Sequence, residues 1–395
     1  MTAPTRREEA ARATIELETN ELPRGPWVFA RQVRDPEQEP EPGALVEVLD
    51  ASGRFVGHAL WNPGSDIRLR FLWRGRKNDL DRPREFLLRR IKLADDLRRK
   101  VLRLDQDHDT YRVVHAEGDD LSGLVIDRLG DSLVCEYHSL GFYRLRDDIE
   151  AALGTLYPGF EVAHRVPANA ARSEDFQPED EPELAERIVH ENGLAYPVAP
   201  AFGHKTGWFC DQRDNRRRVA EFAAGRDVLD LCCNQGGFAL NAARAGAKRV
   251  RAVDLDEKVL ERARRAAALN ELEVECVHDD VFPFLRSLGK PRPNLVILDP
   301  HKLVGSRERL EEGLKKYSDF NTLAFASVAE GGILATFSCS GSLDEPAFIG
   351  MLFQAARRAG REIKLLNQLG AGPDHPQRPD FSRSRYLKGA IFQVL

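Results

Sequence analysis

Five short apolar segments in the second half of the chain each end in residues able to do chemistry. DVLDLCC runs through Asp230 into the turn DLCCNQGGFAL, where Gly236 and Gly237 let backbone approach a ligand closely. RVRAVDL reaches Asp254, an acid placed to accept both hydroxyls of a ribose. VECVHD reaches Asp279 and Asp280, where one carboxylate could accept a hydrogen bond from an adenine amino group. NLVILD opens the run LDPHK, with Asp299, Pro300, His301 and Lys302, and ILATFSC carries Cys339 within TFSCSG. The first turn lacks G-x-G-x-x-G, because Cys232 and Asn234 stand at the earlier glycine places. A pyrophosphate cradle is therefore disfavoured. A nicotinamide cofactor becomes the second reading, behind a nucleoside without phosphates such as that of S-adenosyl-L-methionine.

Any one of these acids could simply cap a helix, as the position of Asp256 suggests. Together, at three successive strand ends, they define a crevice, since open α/β sheets bind ligands at the carboxyl ends of their strands. Asp230, Asn234, Gly236, Asp254, Asp279 and Asp280 are then the expected cofactor contacts. Pro300, His301 and Lys302 would line the place of the methyl acceptor. Cys339 has two readings: a small buried apolar residue, as most cysteines are, or a nucleophile. Carbon 5 of cytosine is too weakly nucleophilic to take a methyl group unaided. Thiolate addition to carbon 6 makes the ring an enamine able to attack a methyl sulfonium, and Asp299 could assist by hydrogen bonding at ring nitrogen 3.

The elements that must position these residues follow from periodicity. Strands buried on both faces, separated by helical patterns at 238–244, 256–270, 281–288 and 307–329, imply a parallel, doubly wound sheet. A helix near 346–359 and two more strands, EIKLLNQL and YLKGAIFQVL, make seven. This is the Rossmann-like, class I methyltransferase pattern. Upstream, ALVEVLD, RFVGHALW and DIRLRFLW alternate around Ser52-Gly53 and Asn62-Pro63-Gly64 turns and predict a small β-rich domain. Residues 110–200 alternate strands (TYRVVHAE, GLVIDRLG, SLVCEYHS) with a helix, a second α/β unit interrupted by an acidic stretch at 173–186 that reads as an exposed loop. The expected division is a flexible N-terminus at 1–22, the β-rich domain at 23–77, a central α/β domain at 78–198 and the Rossmann-like domain at 199–395.

The bulk composition sets the class. A chain of 395 residues with 42% hydrophobic and 31% charged residues buries more than one core. No apolar run approaches the roughly 18 residues of a membrane span, and the charged N-terminus lacks a secretory apolar stretch, so no membrane is expected and the cytoplasm is. Six scattered cysteines without a C-x-x-C pair suggest free thiols and no metal. Lys and Arg number 58 against 63 Asp and Glu, yet residues 65–105 hold 14 basic and 7 acidic side chains, a local net of +7. That strip is either a solvated helix face or a phosphate-contacting surface.

GHKTGWFCDQRDNRR (203–217), NQGGFAL, DDVFPFL, LDPHK, KYSDFN (316–321) and TFSCSG occur in one order, with EGDDLSGLVIDR (117–128) and the terminal YLKG. Together these motifs resemble the bacterial 23S ribosomal RNA cytosine-C5 methyltransferases of the large subunit. The resemblance covers most of the chain from Pro26-Trp27 onward. It implies an N-terminal PUA domain that binds RNA, a central α/β domain and a catalytic domain using S-adenosyl-L-methionine. It implies Cys339 as nucleophile, Asp254 and Asp280 as cofactor contacts, and Gln212, Arg213 and Asn215 as residues capping the cofactor cleft. The partner implied is RNA, 23S rRNA or a large-subunit precursor, and a homodimer is a candidate assembly. A related branch methylates guanine N7 without a thiol, and the cysteine in TFSCSG argues against it. The chain departs from the family at two motifs. His301 stands where D-P-P-K has its second proline, bringing a titratable imidazole to the target base, and Cys232, Asn234 and Gln235 replace the named residues of F-x-Y-T-G-G. These changes give an alternative from another class, a catalytically silent RNA-binding or ribosome assembly protein on the same fold.

Overall fold

The alternating segments near the N-terminus form strands at the expected places. A computed structural model describes residues 12–75, 82–179, 184–200, 206–304 and 309–395. Strands β1 (Thr14–Glu16), β2 (Trp27–Phe29), β3 (Leu45–Leu49), β4 (Phe55–Trp61) and β5 (Ile67–Trp73) make one sheet in the order β1-β3-β4-β5-β2. Only the β1–β3 pairing is parallel. The flexible N-terminus expected at 1–22 is corrected by β1. Ile15 and Leu17 point to one face and are wholly buried with Val46 and Val48, which supplies the apolar contact that holds so short a segment in place. Residues 1–11 lie outside the described residues.

The chain continues through α1 (Pro83–Asp96) to β6 (Thr110–His115), β7 (Leu124–Leu129), β8 (Ser132–Tyr137), α2 (Leu140–Arg144), α3 (Arg146–Leu156), β9 (Glu161–Arg165) and α4 (Ala168–Ser173). The four strands form a sheet in the order β6-β7-β8-β9. Next come the hairpin β10 (Arg187–Glu191) and β11 (Leu194–Val198), and α5 (Arg213–Ala220). The last stretch comprises β12 (Asp227–Leu231), α6 (Gly237–Arg244), β13 (Arg249–Asp254), α7 (Glu257–Leu269), β14 (Glu275–His278), α8 (Val281–Ser287), β15 (Leu295–Leu298), α9 (Leu310–Ser327), β16 (Ile333–Ser338), α10 (Glu345–Arg358), β17 (Ile363–Gly370) and β18 (Lys388–Val394). Two compact units draw on these elements: residues 1–96, 114–126 and 134–182 in one, and 97–113, 127–133 and 183–395 in the other.

In the first unit the acidic stretch at 173–186 is not wholly an exposed loop. Glu174 is buried, and its carboxylate accepts from Arg70 Nη2 and Ser65 Oγ at 2.9 Å, Leu140 N at 3.0 Å and Asn62 Nδ2 at 3.1 Å. A buried charge is tolerable only with such complete pairing. Among the described residues, part of the basic strip is paired with acids within the fold. Arg70 is taken by Glu174, while Arg82, Arg84, Arg90, Lys92 and Arg99 pair with Glu85, Asp148, Asp120, Asp96 and Asp105. Arg98 is buried and donates to the carbonyls of Arg112 and Asp374.

In the second unit seven strands form the sheet β14-β13-β12-β15-β16-β18-β17, parallel except for β18. Their alternation feeds two cores. Leu229, Leu231, Val296 and Leu298 face one layer with Phe325, Phe348 and Leu352, whereas Val228, Leu295 and Ile297 face the other with Phe238, Ala252 and Leu260. Strand order reverses between β12 and β15, so their carboxyl ends open on the switch point where such sheets take ligands. Helix α5 was not legible as apolar periodicity. Its buried face opens on Arg213, Asn215 and Arg216, and only Val219 and Ala220 at its end are aliphatic.

Candidate functional site: a cleft at the carboxyl ends of β12 to β16

The turn after β12 needs unusual backbone. Cys232 (φ 56), Asn234 (φ 49) and Gly236 (φ 75) are left-handed, and a Cβ on Gly236 would lie 2.9 Å from Leu240 Cδ1 and 3.2 Å from Ala263 Cβ. Asp230 braces this turn: its Oδ2 accepts the Ala239 N–H at 2.9 Å, while its buried Oδ1 has no hydrogen-bond partner among the described residues. Burial pushes its carboxyl well above the usual carboxylate range, against the pull of Ala239, and the carboxylates of Asp299 and Asp254 push the same way.

Asp254 ends β13 half-buried, its Oδ2 accepting Asn234 N–H at 2.9 Å and its Oδ1 Asp256 N–H at 3.0 Å. The first turn and the second strand end are thereby locked together. Asp256 caps α7 through the Lys258 N–H, and Asp280 caps α8 through Phe282 N–H at 2.8 Å. Asp279 accepts the Asp280 N–H at 2.8 Å, and its own N–H bonds the Asp254 carbonyl, placing this pair beside Asp254. A carboxylate making one backbone bond keeps lone pairs for a ligand. The unpartnered Oδ1 of Asp230, the left-handed turn and the Asp254 carboxylate together fit a nucleoside cofactor.

Gln212, Arg213 and Asn215 divide between two places. Gln212 Nε2 donates to Asp299 Oδ2 at 2.9 Å, and Gln212 Oε1 accepts from Asn215 Nδ2 at 2.6 Å. Asn215 also donates to the Gly370 carbonyl. Arg213 is wholly buried and turned the other way, gripping Asp374 with Nη1 and Nη2 at 2.9 and 3.0 Å. Pro300 is buried, while His301 and Lys302 are exposed.

Cys339 lies just past β16, half-buried, on a loop anchored by its neighbours. Ser340 Oγ accepts the Val304 N–H of the DPHK loop at 3.2 Å and lies 3.0 Å from Tyr317 Oη on α9. Farther down the strand, Thr336 Oγ1 donates to Asn321 Oδ1 at 2.7 Å, and Asn321 Nδ2 donates to the Tyr317 carbonyl at 2.8 Å. KYSDFN therefore serves to hold β16 and its loop. Parallel pairing aligns Leu298 with Thr336, so the Asp299 and Cys339 loops leave the sheet side by side. Tyr317, Ser340 and Asp374 were not singled out by residue chemistry. Their signal lay in motif membership alone, and Asp374 had none.

Known proteins match this architecture over most of its length. Residues 22–74 match the model of a PUA-like domain, and residues 164–392 match that of S-adenosylmethionine-dependent methyltransferases. Ribosomal RNA large subunit methyltransferase I of Aeromonas salmonicida is 35% identical over 386 residues, covering 94% of this chain and 96% of the relative. That of Shewanella denitrificans is 34% identical over 383 residues, with the same coverage. Among solved structures, a candidate SAM-dependent methyltransferase from Streptococcus mutans superposes with a TM-score of 0.78 at 20% identity, covering 97% of this chain and all of that one. With such relatives spanning nearly its whole length, the chain belongs to the ribosomal RNA large subunit methyltransferase I family and is an S-adenosylmethionine-dependent methyltransferase.

Proposed function

We propose that this methyltransferase forms 5-methylcytosine in 23S rRNA through a covalent adduct at Cys339. The observation that carries the reading is the half-buried thiol on a loop pinned beside Asp299, at the strand ends where a target base would meet the cofactor. S-adenosylmethionine, when bound, supplies a methyl sulfonium. Asp254 would hold its ribose hydroxyls, Asp279 or Asp280 its adenine amino group, and the turn from Asp230 through Asn234 to Gly236 its amino-acid end. A base flipped from its stack would enter between the Pro300–His301–Lys302 loop and the Cys339 loop. Cys339 Sγ would bond carbon 6, with Asp299, oriented by Gln212, assisting by a hydrogen bond at ring nitrogen 3. Carbon 5 then takes the methyl group, and loss of its proton lets the sulfur–carbon bond break. We assign RNA capture to residues 23–77 and the chemistry to residues 199–395, with 78–198 between them. A homodimer is supported by the edge strand β17, where Leu365 and Leu366 are exposed.

Mass-spectrometric mapping of rRNA from strains with and without the gene tests the substrate; a modified cytosine should vanish with the gene. Cys339→Ala should abolish methylation and leave S-adenosylmethionine binding within about twofold by calorimetry. Methylation retained by this variant would exclude the covalent route.

A further inference from the structure

Strand β18 begins with a lysine where an aliphatic residue would cost less. Lys388 is only 4% exposed and lies opposite Ser338 in the antiparallel pairing with β16. Its Nζ donates to the Ser340 carbonyl at 2.6 Å and the Tyr386 carbonyl at 2.8 Å, using two of an ammonium's three donors. Neither acceptor carries a formal charge, so burial is poorly compensated and pushes the ammonium down to about 8. Of the groups opposing that fall, Cys339 acts most strongly, ahead of Asp344 and Glu345 at the start of α10. Tyr317 from α9 faces the same loop, bonded to Ser340, and burial pushes its phenol up and thus keeps it neutral. Asp344 and Glu345 are exposed, so solvent screens them, and Asp344 is engaged in capping α10 through Ala347 N–H.

We propose that Lys388 is a positioning residue for the thiol, its ammonium fixing the loop from Ser338 to Gly341 and serving as counter-ion to the Cys339 thiolate. The inference rests on the reading of Cys339 as nucleophile. The thiol proton leaves to solvent, and Lys388 keeps all three of its protons. A cation beside a thiol raises the thiolate fraction at neutral pH, tenfold for each unit by which the thiol is lowered. A lysine that merely satisfied two carbonyls would leave the thiol's titration unchanged.

The test uses the full chain, with the rate of iodoacetamide alkylation at Cys339 followed by peptide mass spectrometry across the neutral pH range. The wild type should titrate at least about one unit below the ordinary thiol value of about 8.5. Lys388→Met should slow alkylation at neutral pH by about tenfold or more, and Lys388→Arg should stay within about threefold. A wild-type midpoint at the ordinary value overturns the proposal and needs no variant. So does an unshifted profile in a Lys388→Met protein that still melts cooperatively and binds S-adenosylmethionine. RNA carrying 5-fluorocytidine separates the two readings, because carbon 5 then has no proton to lose after methyl transfer and the sulfur–carbon bond persists. Absence of a wild-type adduct at Cys339 overturns the nucleophile reading and this one with it. An adduct combined with identical alkylation profiles overturns the role of Lys388 alone.

Discussion

Replacing Asp374 with Ala tests whether the polar interior behind Gln212 holds the cleft together. Its carboxylate is wholly buried and accepts from Arg213 Nη1 and Nη2 at 2.9 and 3.0 Å and from the Arg112 N–H at 3.0 Å, with His375 Nδ1 at 3.1 Å. Truncation removes the two closest hydrogen bonds of the Arg213 guanidinium, itself without solvent exposure, and leaves it Asp214 Oδ2 at 3.2 Å. Removing one member of a buried pair costs about 3–5 kcal/mol, whereas a neutral hydrogen bond is worth about 1 kcal/mol, so the lost charge pairing decides the outcome. For a unit of roughly 150–250 residues each kcal/mol moves Tm by about 2–4 °C, giving an expected fall of about 6–20 °C in a calorimetric scan. The double variant Arg213→Met/Asp374→Leu removes both charges and should recover a good part of that loss. Burial alone would raise the Asp374 carboxyl, but His375 and Arg213 hold it well below the usual range. A folded value below the unfolded one of about 3.9 means that this stabilisation is complete at neutral pH and is lost as pH falls through the folded value. The Ala variant should therefore lose less stability than the wild type on acidification below about pH 4. A single variant within about 1 kcal/mol of wild type, or a double variant no more stable than the single, would refute the reasoning.

Two further outcomes are expected. Gly236→Ala places a Cβ at φ 75 against Leu240 and Ala263, costing about 1–2 kcal/mol and weakening S-adenosylmethionine binding in calorimetry; unchanged affinity would remove this turn from the cofactor cleft. Glu174→Ala takes from the buried Arg70 its 2.9 Å partner, leaving Glu117 at 3.9 Å, and should destabilise the first unit by about 3–5 kcal/mol, which hydrogen exchange of β4 and β5 would report as lost protection.

What could be read from the sequence was what repeats locally. Leu229 and Leu231 against Val228, and Val296 and Leu298 against Leu295 and Ile297, carry the period of a doubly covered strand, so the seven-stranded sheet and its helices lie where the alternation placed them. The acids at the carboxyl ends of β12, β13 and β14 were legible from the strand runs too: Asp230 lies within β12, Asp254 ends β13 and Asp279 directly follows β14. What escaped depended on partners far along the chain. Helix α5 hides an Arg-rich face whose counter-ions are Asp374 and Glu191, 161 and 25 residues away, so no apolar stripe marks it. Strand β1 is three residues long and is made a strand by β3. Glu174 looked like part of a solvated acidic loop because its partners Asn62, Ser65 and Arg70 lie more than 100 residues upstream. The hairpin β10–β11 carried a local signal, since Asn192 and Gly193 both adopt positive φ in its two-residue turn.

The Ser340 hydroxyl has a consequence for substrate size. It accepts from Val304 in the loop after β15 while its own backbone belongs to the loop after β16, so one hydroxymethyl group latches together the two walls proposed to receive the base. With Tyr317 and Lys388, which also bond Ser340, this contact ties the loops together in the protein alone. On the proposed reading the spacing that receives the base precedes the base, and one added methyl group at position 340 is expected to change it.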